Sequence, residues 1–249
     1  MRLSAQLARK ITFVLMSLSL LAWTILIFKP GGKLEMEICR SLTTPESWSD
    51  LLSIARLTTL SEQWLAWSLM VLAMMSPKLI LPLQQLVALS LKRLRLINAS
   101  CFVLGYLGSW SLAAIPLLTL SLASQRYFGT SAMPALLVLI LALIWQCSPY
   151  KQYCLNQGHQ HKIIRAFGYQ AGLDSLLFGL RHGLYCIGSG WLLMLLPMLS
   201  PHAHFLTMAA VTFIMLSEHL QSPRPLKWRF DLRLQLLVYL WARFSKRLS

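Results

Sequence analysis

Six stretches of this chain are apolar on every side: Ile11 to Phe28, Trp64 to Leu86, Ile97 to Ala123, Ala132 to Cys147, Leu176 to Leu199 and Ala203 to Leu216. A soluble helix alternates an apolar stripe with a polar face, and these runs do not. Each is close to the ~20 residues that cross a bilayer, although the fourth and sixth are short. The pattern predicts an all-α fold, a polytopic membrane helix bundle of about six transmembrane helices. The first run follows Arg2, Arg9 and Lys10 and could be mistaken for a secretory signal. It exceeds the usual apolar core of about 7 to 15 residues, and no small-residue cleavage site follows Phe28, so it is read as a retained helix.

Between the runs lie turn formers and charges. Residues 29–63 form a mixed-charge segment with Glu35, Glu37, Glu46, Asp50 and Glu62 and turn signals at Pro30 to Gly32 and at Pro45; Ser49 to Leu60 reads as a short interfacial helix within it. Residues 221–249 form a basic tail in which Leu232, Leu236, Leu237, Leu240 and Phe244 share one helical side, the pattern of a helix lying on anionic lipid. The chain thus divides into a first helix at 1–28, an external segment at 29–63, a five-helix core at 64–220 and a tail at 221–249.

Composition agrees. Hydrophobic residues make up 56% and charged ones 12%, and the mean hydropathy is +0.58. A formal charge of +15 would suggest nucleic acid in a soluble protein; here the cations gather between the runs, where headgroups meet them, so no nucleic acid is implied. Lys92, Arg93 and Arg95 in one loop, Lys151, Lys162 and Arg165 in another, and the cations of both ends all fall on one side. The positive-inside rule then puts both termini in the cytoplasm, and by that reading the chain belongs in a bacterial inner membrane. Five cysteines, an odd number mostly set in or beside apolar runs, indicate no disulfide framework.

Chemistry enters through the polar and sulfur groups inside apolar runs. Gly179, Gly183, Cys186 and Gly190 recur every three or four residues, so one helix face offers close approach and a thiol. Met70, Met74 and Met75 in the second run, Cys186 and Met194 in the fifth, and Cys154 after the fourth offer thioether and thiol sulfur, which suits Cu(I) before harder ions and leaves zinc behind. The same methionines also serve as gap fillers in a helix bundle. His159 and His161, five and seven residues after Cys154, are either imidazole ligands or solvated loop residues. His182 reads as a packing hydrogen bonder. Lys78, Arg181 and Glu218 are intramembrane charges, functional by default; an Arg181–Glu218 ion pair between the fifth and sixth helices is expected, with Lys78 snorkelling.

Four ordered motifs resemble a known family. They are W-x-x-M-x-x-A-M-M-x-P from Trp67 to Pro77, F-x-x-G-Y-x-x-x-W from Phe102 to Trp110, Q-x-x-P-x-K-x-x-C-L from Gln146 to Leu155, and G-x-x-x-G-x-x-C-x-G-x-x-W-x-x-M from Gly179 to Met194. From Trp64 to Glu218 the chain is similar to the bacterial family of predicted metal-binding integral membrane proteins, a domain of unknown function. The resemblance implies a membrane bundle that handles a soft metal, together with a metal donor or membrane partner protein. This chain departs from the family at Gly158, Ser189 and Gly190, where members usually carry cysteines, and at His219, where a lysine often follows the glutamate. A member that kept the fold and lost the site, acting as a scaffold or permease component, is the other reading. Catalysis is not indicated: Gly188-Ser189-Gly190 matches the serine motif of rhomboid proteases no further than those three residues.

Overall fold

The computed structural model describes residues 4–28, 57–129, 131–159, 165, 168–200, 203–228 and 241. Their regular structure is helical throughout. Chain order runs α1 (Ala5–Phe28), α2 (Leu57–Met75), a 3-10 turn (Ser76–Leu79), α3 (Ile80–Leu89), α4 (Arg95–Phe128), α5 (Met133–Cys147), α6 (Pro149–Gly158), α7 (Gly168–Leu199) and α8 (His204–His219). By length and composition, α1, the α2–α3 unit from Trp64, α4 and α7 can each cross a membrane; α5 and α6 make a fifth span if the bent pair counts as one. Residues 29–56, His161 and most of the tail helix lie outside the described residues, and residues 57–63, read from the sequence as the end of the external segment, are instead the start of α2.

Helix α7 is the hub, packing against α4, α5, α6 and α8. Its contact with α4 is the most extensive, and glycine is the reason. A Cβ on Gly105 would overlap the Leu176 carbonyl, one on Gly179 the Phe102 carbonyl, and one on Gly183 the Ser109 hydroxyl. Backbones that touch need small residues where no hydrophobic effect drives association. Two further glycines of α7 serve different neighbours, with Gly188 under Cys154 of α6 and Gly190 under Met215 of α8.

Two prolines shape the bundle. Pro77 has no N–H to offer the Ala73 carbonyl, so the second apolar run breaks into the 3-10 turn instead of continuing as one helix. Ser19 of α1 donates to that carbonyl at 2.6 Å, satisfying it from outside. Pro149 forces Ser148 into an extended conformation. The chain bends by 68° there, and α6 starts afresh with Pro149 in its first turn and the Ser148 hydroxyl accepting from the Lys151 amide at 3.1 Å.

The bend corrects the sequence reading of residues 148–175 as a cytoplasmic loop: residues 149–158 are α6 and residues 168–175 open α7. Polar side chains that hydropathy assigns to a loop are interior ones. Lys151 is fully buried and pairs with Glu218, also fully buried, at 2.7 Å. Gln146 closes a triangle, donating to the Glu218 carboxylate and accepting from the Lys151 ammonium. The expected Arg181–Glu218 pair is therefore overturned. Arg181 is exposed on α7, and α6 brings a cation to Glu218 that the loop reading had placed in water.

Candidate metal centre

Helix α8 packs against both α2 and α7, and the hydrophobic core these helices join is rich in sulfur. Met70, Met74 and Met75 of α2, Met194 of α7, and Met208 and Met215 of α8 are each 3% exposed or less. Spacing explains why each set shares a face: Met70 and Met74 are four residues apart, Met208 and Met215 seven. Met215 lies over Gly190, and Met194 is the next turn of α7 on the same face.

One turn from Gly190 in the other direction is Cys186, 6% exposed. Lys78, lifted into the interior by the 3-10 turn, donates to its sulfur at 3.2 Å. The Tyr106 hydroxyl of α4 reaches the same sulfur at 3.4 Å. Lys78 does not snorkel; it is 4% exposed. The Lys78–Cys186 contact joins the 3-10 turn to α7.

On the opposite side of Cys186 lies imidazole. His182, one turn before Cys186 on α7, packs its ring between Phe102, Tyr106 and Phe178 at centroid distances of 5.9, 6.0 and 6.2 Å. His219 of α8 stands edge-on to it, with centroids 6.3 Å apart. His159 of α6 stacks on His219 at 5.6 Å. Both ring nitrogens of His159 meet main-chain oxygens, Nδ1 that of Leu155 at 2.8 Å and Nε2 that of His219 at 3.1 Å.

The sequence-derived donors thus separate. Met70, Met74, Met75, Cys186 and Met194 are all buried in the hydrophobic core. Cys154 is buried, but against Gly188, two residues beyond Cys186 and so on another side of α7. His159 is tied to backbone. Three groups that sequence reasoning left out of the set belong beside it: Met208 and Met215, whose seven-residue spacing was the available signal, and His219, whose place next to His182 depends on how α7 and α8 pack. Among the described residues, no three His, Cys, Asp or Glu side chains converge to hold a metal ion. The sulfur donors here are mostly thioethers, which lie outside those four residue types.

The motif residues are also core residues. Trp67, Phe102, Tyr106 and Trp110 are all at most 4% exposed, and the Trp67 indole donates to the Trp110 carbonyl at 3.0 Å, joining α2 to α4. A family model described as "PpoB2: Copper chaperone" matches residues 64–235, from α2 to beyond α8. Neither a curated protein nor a solved structure matches the chain.

Proposed function

The chain belongs to the PpoB2 copper-chaperone family, and from that premise we propose that it is a multi-pass protein of the bacterial cytoplasmic membrane that holds copper(I) as cargo between α2, α7 and α8. Met70, Met74, Met75, Met194 and Cys186 are the sulfur ligands of this reading. The observation that supports it is the burial of the Cys186 thiol in the same hydrophobic core as the thioethers, where among the described residues no cluster of three His, Cys, Asp or Glu side chains offers a harder cage. Thioether and thiolate favour a soft monovalent ion. A structural zinc site would need four converging groups of a harder set, which these residues do not supply.

In this reading the six helical units, α1, α2–α3, α4, α5–α6, α7 and α8, all cross the bilayer with both termini in the cytoplasm. Helix α8 has 16 residues, about 24 Å of rise, and its shortfall against a ~30 Å hydrocarbon core is met by local thinning. The segment at 29–63 is external, and the basic tail rests on anionic lipid of the inner leaflet. A metal donor or acceptor protein meets the bundle at one face.

The test is copper content. Purified protein loaded with copper(I) under reducing conditions should retain metal, Cys186→Ser should retain much less, and Cys101→Ser, outside the proposed ligand set, should match the parent. Equal content in all three would remove the thiol from the site. One observation favours a second reading, a scaffold or permease component without metal: Gly158, Ser189 and Gly190 stand where family members usually carry cysteines. That reading requires protein free of copper after loading.

A further inference from the structure

One helical turn from Cys186 a pair of imidazoles meets, and we propose that His182 and His219 form a second, nitrogen-ligand site for copper(I) at the inner end of the bundle. This inference rests on the copper-cargo reading above and adds to it a site of different ligand chemistry.

Four observations converge. His219 is 9% exposed and its buried Nε2 makes no hydrogen bond among the described residues. A buried polar atom left bare is costly and calls for a partner, of which a bound ion is one kind. His182 is 6% exposed and packs among the aromatic rings of Phe102, Tyr106 and Phe178. The two ring centroids are 6.3 Å apart. With metal–nitrogen bonds of about 2.0 Å and ring nitrogens about 1.1 Å from their centroids, a cation held in line between two imidazoles separates the centroids by roughly 6 Å. Two-coordination is a habit of copper(I), and it needs no third His, Cys, Asp or Glu.

His159 is the positioning residue of this site. Its two ring nitrogens face the Leu155 and His219 carbonyls, to one of which a neutral ring donates, and its ring stacks on His219, so it fixes the ligand ring, as supporting groups around metal sites do. His182 and Cys186 are four residues apart on one face of α7, which puts thiol and imidazole on neighbouring turns. A cation can pass from one to the other without leaving the protein interior. Neutral imidazole is a good ligand for copper and a weaker one than thiolate for holding it, which suits a site where cargo is exchanged with water or a partner.

X-ray absorption on the full chain in detergent, loaded with copper(I), tests this. The parent should show imidazole nitrogen scattering alongside sulfur. His219→Gln should lose the nitrogen shell and about half the copper while keeping the sulfur shell, and Cys186→Ser should keep nitrogen-bound copper. His182→Asn gives the same readout should His219→Gln fail to fold, and the parent spectrum decides without either variant. Sulfur scattering alone in the parent, or nitrogen scattering that survives both histidine substitutions, overturns the imidazole site and leaves the sulfur reading standing. Nitrogen scattering without sulfur overturns the sulfur reading and supports the imidazole site. No bound copper overturns both.

Discussion

Lys151 and Glu218, 67 residues apart in sequence, form an ion pair at 2.7 Å with neither side chain exposed. It ties the elbow helix α6 to the C-terminal end of α8, and Gln146 at the end of α5 hydrogen-bonds both partners. Desolvating two charges offsets much of their attraction, so such a pair adds little net stability compared with an apolar pair, but removing one partner leaves a buried charge uncompensated. Glu218→Gln and Lys151→Met should each lower stability by about 3 to 5 kcal/mol, and the double variant should lose clearly less than the sum of the two. Arg181→Gln, at an exposed position, should stay within about 0.5 kcal/mol of the parent. Thermal unfolding in detergent reads all four, and additive losses at 151 and 218 would separate the two residues.

Glycine substitutions discriminate between helix faces. Gly179→Ala drives a methyl into the Phe102 backbone, which cannot yield as a side chain can, and should cost about 1 to 3 kcal/mol. Gly108→Ala, with open space around it, should be neutral or gain about 0.5 to 1 kcal/mol from helix propensity. The same unfolding assay distinguishes them, and a stable Gly179→Ala would contradict the close α4–α7 packing.

Lys78 stands on the sulfur that the proposed cargo would occupy. An ammonium 3.2 Å from Cys186 repels an arriving cation and must swing away when the metal binds. Lys78→Met should therefore strengthen copper(I) retention against a soluble chelator by several-fold, since each 1.4 kcal/mol of relieved repulsion is a factor of ten. Weaker retention would instead make the lysine a part of the bound state.

Orientation is open to a simple reporter. Alkaline phosphatase fused after Gly129 should be active, and fused after Ser249 inactive, if both termini are cytoplasmic as the cation distribution requires. The reverse pattern would invert the bundle and with it the assignment of the imidazole pair to the inner end.

Much of this architecture is legible in the residues. Continuous apolar runs mark α1, α2, α4, α5, α7 and α8, because backbone in lipid has little choice but helix. The stripe at Gly179 and Gly183 marks close packing, and buried methionine follows from helical spacing. Helix α6 is not legible by hydropathy: Pro149 to Gly158 is polar, and only a partner on α8 makes burial of Lys151 affordable. The same distance hides the imidazole pair, since His182 and His219 are 37 residues apart and Glu218 next to His219 draws the eye to Arg181. Prolines were better guides than charges. Pro77 and Pro149 each place a break, and both breaks deliver a lysine to the interior.

The repair at Ala73 reaches further than one hydrogen bond. The carbonyl that Pro77 leaves bare is met by Ser19 of α1, a helix that precedes the matched stretch beginning at residue 64. Helix α1 also packs along α2, the 3-10 turn and α3, so it acts as a splint across the fracture that carries Lys78 to Cys186. The first helix and the thiol are thereby linked through the turn: loosening the splint frees the turn, and the turn sets where the ammonium sits. Under the copper-cargo proposal, the grip of α1 would then set how readily the thiol is released.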